Sequence, residues 1–572
     1  MYKKFLKELI TFVDTKFLFI ATGFLIAFIP LYPKLPLLDI LPGYIVRLRL
    51  EDVLIFITLL IWSIQLYRKK ISIKSPLSKP IFTYLGFATL SVLSAMFITK
   101  TVPLHAVHVE KTILHLLRNV EYFSLFFITL TAIRSKKDVA FFFKVLIAAF
   151  VCVALYGLGQ KYLYWPVYST MNREFSKGIR LYLTEHARVQ STFGGHYDLA
   201  AYIVILLPLI LSATFVATKR YLKIGLWVTF TLGVWLLVVS AARTSFVATL
   251  FALGLVILLA TIKQQKSKFK FIMTQSAIVA LIVSTIFVRF GDDISDRLLD
   301  ALEGYPSLNT AYHQSNATRK YYLYEYIPEK LGLRDALNTI KIQAPSDGMS
   351  TDELDAALIA SDQQPVTQKP SDVYVDVPDL VKVATISATG KSEIILIEQP
   401  RTYSDNALKY GLSMAIRLDT LWPQAWKGFT TNPLLGTGYA TLTKSSVYEF
   451  TEADSTDNNF LRVLGELGLL GFIAFFGTLL LALKYAKNMY SNFKADDLET
   501  VLAIGYIAGT IGLLINALFI DVFVSSKVAF TFWILTGMII SLSPVLSKKN
   551  TNAPIEKASK PKKTTKKKRT FS

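Results

Sequence analysis

Long apolar segments alternate with short polar ones through most of the 572-residue chain, and one polar region at 291–460 interrupts them. An α-helix needs about 20 mostly apolar residues to cross the hydrocarbon layer of a bilayer. The pattern predicts twelve such helices, of which the second is short. They cover residues 17–32, 51–67, 80–99, 112–133, 138–160, 197–217, 222–240, 244–262, 271–290, 460–484, 499–521 and 527–546.

The predicted fold class is an all-α polytopic membrane protein with one large extracytoplasmic loop. Inside the loop, Arg297 to Leu333 and Asn406 to Phe429 are predicted to be helical, and the β-branched segment Val373 to Ile397 predicts a hairpin within a small α/β insertion. The predicted domains are membrane helices 1–9 at 1–290, the loop at 291–459, membrane helices 10–12 at 460–546, and a basic tail at 547–572.

The composition agrees with a membrane protein. Apolar residues make up 52% of the chain, the mean hydropathy is +0.43, and charged residues reach only 18%, against about 25% in soluble domains. The N-terminal apolar segment has no small-residue cleavage site and is predicted to be an uncleaved first span. The single cysteine, Cys152, excludes a disulfide within the chain and is predicted to be a buried apolar residue.

The orientation follows from the short basic connections, because Lys and Arg flanking membrane helices favour the cytoplasmic side. Such connections follow every second predicted span, so both termini are predicted to be cytoplasmic and the large loop extracytoplasmic, in the cytoplasmic (plasma) membrane. The loop at 291–460 contains 24 Asp or Glu and 14 Lys or Arg, a net charge of −10. This acidic charge is independent support for the orientation, because the loop is not one of the connections from which the orientation was assigned.

The tail from Lys548 onward contains ten Lys or Arg and one Glu, with almost no apolar residues. Such a segment is predicted to be disordered. Three roles stay open for it: a solvated, orientation-fixing tail, attraction to anionic lipid of the inner leaflet, or contact with nucleic acid. The first is preferred, and nucleic acid is not counted among the predicted partners.

Three histidines, His105, His108 and His115, lie near the start of the fourth span, the first two on one helix face. A metal site would need further ligands that the sequence does not place beside them. We therefore predict no metal and no cofactor.

Arginines stand at the edges of apolar segments on the predicted extracytoplasmic side. Arg188 precedes the sixth span in RVQSTFGGHYDLAAY, and Arg243 lies in SAARTSF, a connection so short that its guanidinium must lie at the membrane interface. An isolated charge is costly there, so these arginines predict an anionic partner.

Two further motifs belong to the loop and its exit. The segment AIRLDTLWPQAWKGFTTNPLLGTGYATL contains Arg417, Trp422 and Trp426, and the exit motif TDNNFL contains Asp457 and Asn458 just before an apolar helix. Asp457 has two open interpretations, an ordinary helix N-cap or a catalytic carboxylate that takes a proton from a hydroxyl group. A planar arginine fork suits a diphosphate.

Together these motifs resemble the O-antigen ligase and Wzy-type O-antigen polymerase family of membrane glycan enzymes. Two parts of the resemblance are Arg188 before a Gly-Phe-containing turn and an apolar helix, and Arg243 between adjacent spans. A third is Arg417 with Trp422 or Trp426 before Pro433-x-x-Gly436-x-Gly438. The fourth is the exit signature, which is followed by Glu466-x-Gly-x-x-Gly471. Where ligases of the family have histidine, this chain has Asp457. The departure favours a polymerase or another envelope glycan transferase as much as a ligase.

The resemblance implies a metal-independent, inverting glycosyltransferase acting on undecaprenyl-diphosphate-linked glycans, with a lipid-linked donor and a glycan or glycolipid acceptor. It implies that Arg188 and Arg243 hold the diphosphate and that Asp457 orients or deprotonates the acceptor. Substrate contacts are predicted for Arg417, Trp422, Trp426 and Asn458, with loop packing as the alternative for the two tryptophans.

Two other classes stay open. A transporter or flippase of lipid-linked oligosaccharide would have a similar number of spans, but such proteins carry broken or polar helices at the bilayer midplane, where this chain has mainly Asn516. A receptor or scaffold would use the acidic loop for binding and would not need the arginines.

Overall fold

The fold was determined from a computed structural model. It describes residues 11–40, 47–171, 175–184, 187–264, 267–292, 294–295, 310, 314–319, 321–326, 330, 349–350, 379–386, 392–399, 403–442 and 455–543. The predicted tail at 547–572 and most of the predicted helix from Arg297 to Leu333 lie outside these residues.

Helices dominate the described chain. A π-helical turn, Val13–Phe17, continues into the first α-helix. The α-helices are α1 (Leu18–Leu31), α2 (Leu50–Tyr67), α3 (Ser78–Phe97), α4 (Ala106–Ala132), α5 (Lys136–Tyr162), α6 (His196–Val216), α7 (Arg220–Val239), α8 (Arg243–Lys263), α9 (Lys268–Phe290), α10 (Asp405–Tyr410), α11 (Leu412–Ile416), α12 (Trp422–Thr431), α13 (Asn459–Asn492), α14 (Leu498–Asn516) and α15 (Ser526–Ser541).

The structure confirms an all-α polytopic membrane protein. Eleven helices among the described residues are long and apolar enough to cross a membrane, α1 with its π-helical turn to α9, α13 and α14. The twelfth apolar helix, α15, has only 16 residues. The shortest apolar helix is therefore the last one, because α15 ends at Ser541, before the predicted end of the final span at 546. A turned segment, 517–525, occupies the end of the predicted eleventh span, and α2, with 18 residues, is long enough to cross.

Strands are few and short. β1 (Pro36–Leu38) pairs antiparallel with β2 (Leu48–Arg49), and β3 (Leu181–Tyr182) pairs parallel with β4 (Met349–Ser350). In the loop, β5 (Asp379–Ile386) pairs antiparallel with β6 (Ser392–Gln399), from Asp379 opposite Gln399 to Ile386 opposite Ser392. This hairpin confirms the prediction made for Val373 to Ile397, of which residues 373–378 lie outside the described residues.

The centre of the bundle is α6, which packs against α8 and most extensively against α14. Close approach depends on Gly505 of α14, where an added Cβ would lie 2.6 Å from Cα of Leu209. At the periphery, α9 is almost entirely exposed. Cys152 is exposed on the surface of α5, so the prediction of a buried cysteine was wrong. The apolar residues around Cys152 in the sequence predict a membrane helix, but they do not show which face of that helix packs against the rest of the protein.

The bundle has two distinct ends. We call the end at which 291–458 is attached the loop end, and the end formed by connections 68–77, 133–135, 217–219, 264–267 and 493–497 the short-loop end. Helix α13 starts at the loop end and bends at Gly468, whose φ of 63° is left-handed. A side chain there would meet the backbone of Leu434 at 2.4 Å. The bend lets 433–438 pack against α13.

Candidate functional site

The exit of the large loop is fixed by a buried carboxylate in the turn between α14 and α15. Asp521 accepts hydrogen bonds from the backbone N–H groups of Thr456 (2.9 Å) and Asn458 (3.2 Å), and from Nη1 of Arg462 (2.8 Å). The side chain of Asp521 is 8% exposed. Because one carboxylate binds the N–H groups on both sides of residue 457, the position of that residue is set by a turn that lies more than 60 residues further along the chain.

The helix cap at the exit is Asn458, not Asp457. Oδ1 of Asn458 accepts from the N–H groups of Phe460 and Leu461, each at 3.0 Å. Asn458 thus has a structural role in addition to its predicted substrate contact, which stays a prediction. Because Asn458 occupies the N-cap position, Asp457 is not the N-cap. Asp457 instead has a φ of 50°, a region that non-glycine residues seldom adopt.

The carboxylate of Asp457 pairs with an arginine of the loop. Nη2 of Arg417 lies 2.8 Å from Oδ2 of Asp457, with the two side chains 13% and 32% exposed. The Ser455 hydroxyl lies between the carboxylates of Asp457 (2.7 Å) and Asp521 (2.9 Å). The pair is thus partly open to solvent on one side and anchored through Ser455 on the other.

The loop segment that provides Arg417 is folded as expected for Asn406 to Phe429. It forms α10, α11, a π-helical stretch Arg417–Leu421 and α12. Helix α12 approaches α13 closely at Gly465, where an added Cβ would lie 2.7 Å from the carbonyl oxygen of Ala425. π-Helical stretches are rare in proteins, and those that occur are often found at functional sites. Here one starts at Arg417, the arginine that pairs with Asp457.

The protonation of Asp457 depends on its surroundings. Burial raises the pKa of this carboxyl above its ordinary value, the positive charge of Arg417 and the hydrogen bond from Ser455 lower it, and the negative charge of Asp521 raises it. The net shift is upward. A carboxylate of raised pKa is a stronger base than a free aspartate.

Behind the exit, a second layer of polar groups lies inside the bundle. Arg462 contacts Glu466 (3.4 Å), and Glu466 accepts from the backbone N–H of Ala440 (3.0 Å). A cavity of about 40 Å³, lined by Asn459, Arg462 and Glu466 with Arg118 of α4, adjoins them. That volume has room for about two or three water molecules, and Nδ2 of Asn459 is buried beside it with no hydrogen-bond partner among the described residues.

A further network joins α1, α2, α4 and α15 at the same end. Lys34 pairs with Glu51 (3.1 Å), and Arg118 bridges Asp52 (2.6 Å) and Glu121 (2.7 Å). Lys527 is buried and donates to the carbonyl groups of Pro30, Tyr32 and Thr192. Lys527 thereby holds the turn that leads from Arg188 into α6.

The two predicted diphosphate-binding arginines belong to neighbouring segments. Nη1 of Arg188 donates to Nε2 of His196 (2.7 Å), at the start of α6. The adjacent Val189 donates its N–H to the carbonyl of Val239 (3.1 Å), at the end of the helix before Arg243. Arg243 is the first residue of α8 and is exposed.

The segment of Arg243 is linked in turn to the exit. Ser245 donates to Oδ1 of Asn516 (3.2 Å), and the next residue, Ala517, accepts from the N–H of Asn459 (2.8 Å). The structure therefore connects Arg188, Arg243 and the exit segment through direct hydrogen bonds between their supporting elements.

The tryptophans of α12 differ in their surroundings. Trp422 is half-buried and packs against Phe519 with ring centroids 6.3 Å apart. Trp426 is 55% exposed and lies beside Phe429 on the same helix. Trp422 fits the packing alternative, and Trp426 stays a predicted substrate contact.

Sequence reasoning overlooked Asp521 and Arg462, which organise the exit. A signal was present, because each is an isolated charge within an apolar stretch, where a charge indicates a specific partner. The partners themselves, 59 residues apart in the chain, are not evident from the sequence.

Comparison with known proteins does not extend this picture. No protein-family model matches the chain, and the search of curated proteins gave no match.

Proposed function

We propose that this protein is a metal-independent, inverting glycosyltransferase that acts on undecaprenyl-diphosphate-linked glycans, as the O-antigen ligase and polymerase family does. The observation that carries the proposal is the ion pair between Arg417 and Asp457, which is partly exposed to solvent at the loop end of the bundle. The Ser455 hydroxyl connects Asp457 to the buried carboxylate of Asp521. Such a carboxylate at the membrane surface has access to a lipid-linked substrate and to a polar acceptor at once.

In the proposed reaction, Asp457 acts as general base. Its carboxylate takes the proton of an acceptor hydroxyl while the acceptor oxygen forms a bond to the anomeric carbon of the donor. The bond between that carbon and the diphosphate oxygen breaks, and the electron pair leaves with the diphosphate. The positive charge of Arg417 favours the ionised form of Asp457, and its release or displacement by substrate would raise the basicity of the carboxylate.

Arg188 and Arg243 are proposed to hold the diphosphate and to offset the charge that develops on it. Charge-assisted hydrogen bonds aimed at a leaving group stabilise the transition state more than the ground state. The hydrogen bonds from Val189 to Val239 and from Ser245 to Asn516 support this assignment. They link the segments that carry the two arginines to each other and to the start of α13.

We propose that the loop end faces the extracytoplasmic side of the cytoplasmic membrane and that both termini are cytoplasmic. The net charge of −10 at 291–460 and the basic short connections support this orientation. Donor and acceptor would then meet outside, where the activated donor is lipid-linked and not a nucleotide sugar.

The test is transfer by the purified protein in liposomes that contain an undecaprenyl-diphosphate-linked oligosaccharide and a glycan acceptor. We expect extended or transferred glycan without added metal, and we expect Arg243→Ala to abolish it. Arg220→Ala is the matched control, because Arg220 is likewise the first residue of a membrane helix but at the short-loop end.

Other outcomes separate the alternatives. Crossing of the lipid-linked oligosaccharide to the opposite leaflet, with no change in the glycan, would indicate a flippase. Binding without transfer or crossing would indicate a receptor, and equal transfer by Arg243→Ala and wild type would overturn the proposed role of that arginine.

A further inference from the structure

Helices α3 and α13 separate toward the short-loop end and leave a groove on the surface of the bundle. The groove has a volume of about 330 Å³ and is lined mainly by Pro80 and Thr83 of α3 and by Ile473, Ala474 and Gly477 of α13, with Lys79 at one end. It is displaced from the exit site toward the short-loop end of the bundle and has no part in the proposed reaction.

Nearer the loop end, α3 is joined by hydrogen bonds to α13 and to the end of α12. The Ser91 hydroxyl donates to the carbonyl of Glu466 (2.9 Å), and Asn432 donates to the hydroxyl of Ser94 (3.0 Å). At Gly477, by contrast, an added Cβ would meet no atom within 4 Å. The opening is thus confined to one half of the interface, and the absent side chain of Gly477 contributes to it.

The groove is short enough to lie within one leaflet of a bilayer. Lys79 is the second residue of α3, and Thr83 follows one helical turn further in, at a rise of about 1.5 Å per residue. One leaflet provides about 15 Å of hydrocarbon, half of a core of about 30 Å. A chain entering beside Lys79 and lying along Gly477 therefore stays within the acyl region of that leaflet.

The charge at the mouth of the groove is basic. Lys79 is exposed, as are Lys69, Lys70 and Lys74 in the preceding connection. Lysine near a membrane surface attracts anionic headgroups, with about 1 kcal/mol per residue. Apolar walls below an ammonium group at headgroup level fit a lipid whose head is negatively charged.

We propose that this groove is a binding site for one anionic phospholipid, with an acyl chain along Ile473, Ala474 and Gly477 and the headgroup phosphate on Lys79. The apolar walls are continuous with the lipid-facing surface of α13, where Leu480 is 64% exposed. Lys79, the charged residue of the lining, favours a negatively charged head.

The test is quantitative mass spectrometry of the phospholipid that stays with the full-length protein after purification in mild detergent. We expect wild type to retain an anionic phospholipid. Gly477→Phe fills the groove from α13, Thr83→Phe fills it from α3, and each should lower the retained lipid at least three-fold. Lys79→Gln should keep the lipid but lower the ratio of anionic to zwitterionic species.

The matched control is Gly254→Phe. Gly254 of α8 is also an exposed membrane-helix glycine whose Cβ would meet no atom within 4 Å, and it lies outside the groove. Size-exclusion profiles and melting temperatures equal to wild type show that each variant is folded. Retention unchanged in both Gly477→Phe and Thr83→Phe would overturn the site, and so would loss of retention in Gly254→Phe to the same extent. A shift from dimer to monomer in the groove variants, with no change in lipid, would assign the groove to a second copy and also overturn it.

Discussion

At the loop end the bundle encloses charged side chains together with fixed polar partners, whereas at the short-loop end its charged side chains mostly stay outside the protein. Among the described residues, the buried Lys, Arg, Asp and Glu all lie at the loop end except Glu499, which pairs with Lys136 at the other end. A typical short-loop pair is Arg68 with Asp14 (2.7 Å), whose side chains are 37% and 14% exposed. Those at the loop end are Lys34, Arg47, Glu51, Asp52, Lys111, Arg462, Glu466, Asp521 and Lys527.

The difference separates two uses of charge in one membrane protein. Exposed cations flanking membrane helices set orientation and attract headgroups, and they need no fixed partner. A buried charge is costly to remove from water and needs a well-placed partner. The short-loop end therefore fits orientation and lipid contact, and the loop end fits a preorganised site. Four substitutions test this comparison.

The largest effect is expected at the carboxylate that the loop end presents to solvent. Asp457→Asn removes the proposed base, and loss of general base catalysis lowers a rate by about 10²–10⁴-fold. The measurement is the initial rate of glycan transfer in liposomes. Asp497→Asn, at the N-cap of α14 on the short-loop end, is the control and should keep wild-type activity. Transfer by Asp457→Asn within a few-fold of wild type would refute the role of this carboxylate.

The second effect concerns stability. Asp521→Asn leaves Arg462 with one carboxylate fewer inside the protein and weakens the anchor of Thr456 and Asn458. Breaking a buried pair by removing one partner costs about 3–5 kcal/mol. Unfolding in mixed micelles with increasing denaturing detergent should show a clear loss of free energy of unfolding. A loss below about 1 kcal/mol would mean that the loop end is not more tightly coupled than the exposed surface.

The third effect is on pH dependence. Burial raises the pKa of Asp457 and Arg417 lowers it, so Arg417→Gln should raise that pKa further. A base works only when deprotonated, so transfer is lost as pH falls through its pKa, and the acid limb of the pH–rate profile should move to higher pH in the variant. A rate lowered equally at all pH values would show instead that Arg417 acts on substrate and not on Asp457.

The smallest effect is expected at the short-loop end. Asp14→Asn breaks the two-fold contact with Arg68 (2.7 and 3.0 Å), and exposed pairs contribute about 0–1 kcal/mol. Free energies of unfolding measured at low and high salt should differ little from wild type. A loss as large as that of Asp521→Asn would remove the contrast between the two ends.

Much of the fold could be predicted because membrane insertion acts on local sequence. Segments of about 20 apolar residues must form helices, since unpaired backbone groups are costly in lipid. The hairpin of β5 and β6 and the loop helices from Asn406 to Phe429 were also predicted, because turn residues and β-branched runs act locally. Burial within the bundle was less predictable, as Cys152 illustrates, because both faces of a membrane helix are apolar.

The candidate site was predicted in its residues but not in its pairings. Arg417 and Asp457 were both predicted from charge at the edge of apolar sequence, yet their contact, 40 residues apart in the chain, and the anchoring by Asp521 depend on how α12, α13 and the turn before α15 pack together. Asn458 caps α13 through its Oδ1, a role that was not predicted from the sequence, and its contact with substrate stays a prediction.

The sequence by itself determined the class of protein, the number and rough bounds of its apolar helices, and the residues whose charge requires a partner, because these follow from the free energy of transferring side chains and backbone into lipid. Only the tertiary structure decided which charges meet. Asp457 with Arg417, Asp521 with Arg462, and the groove at Gly477 each depend on distances between helices that no local pattern contains.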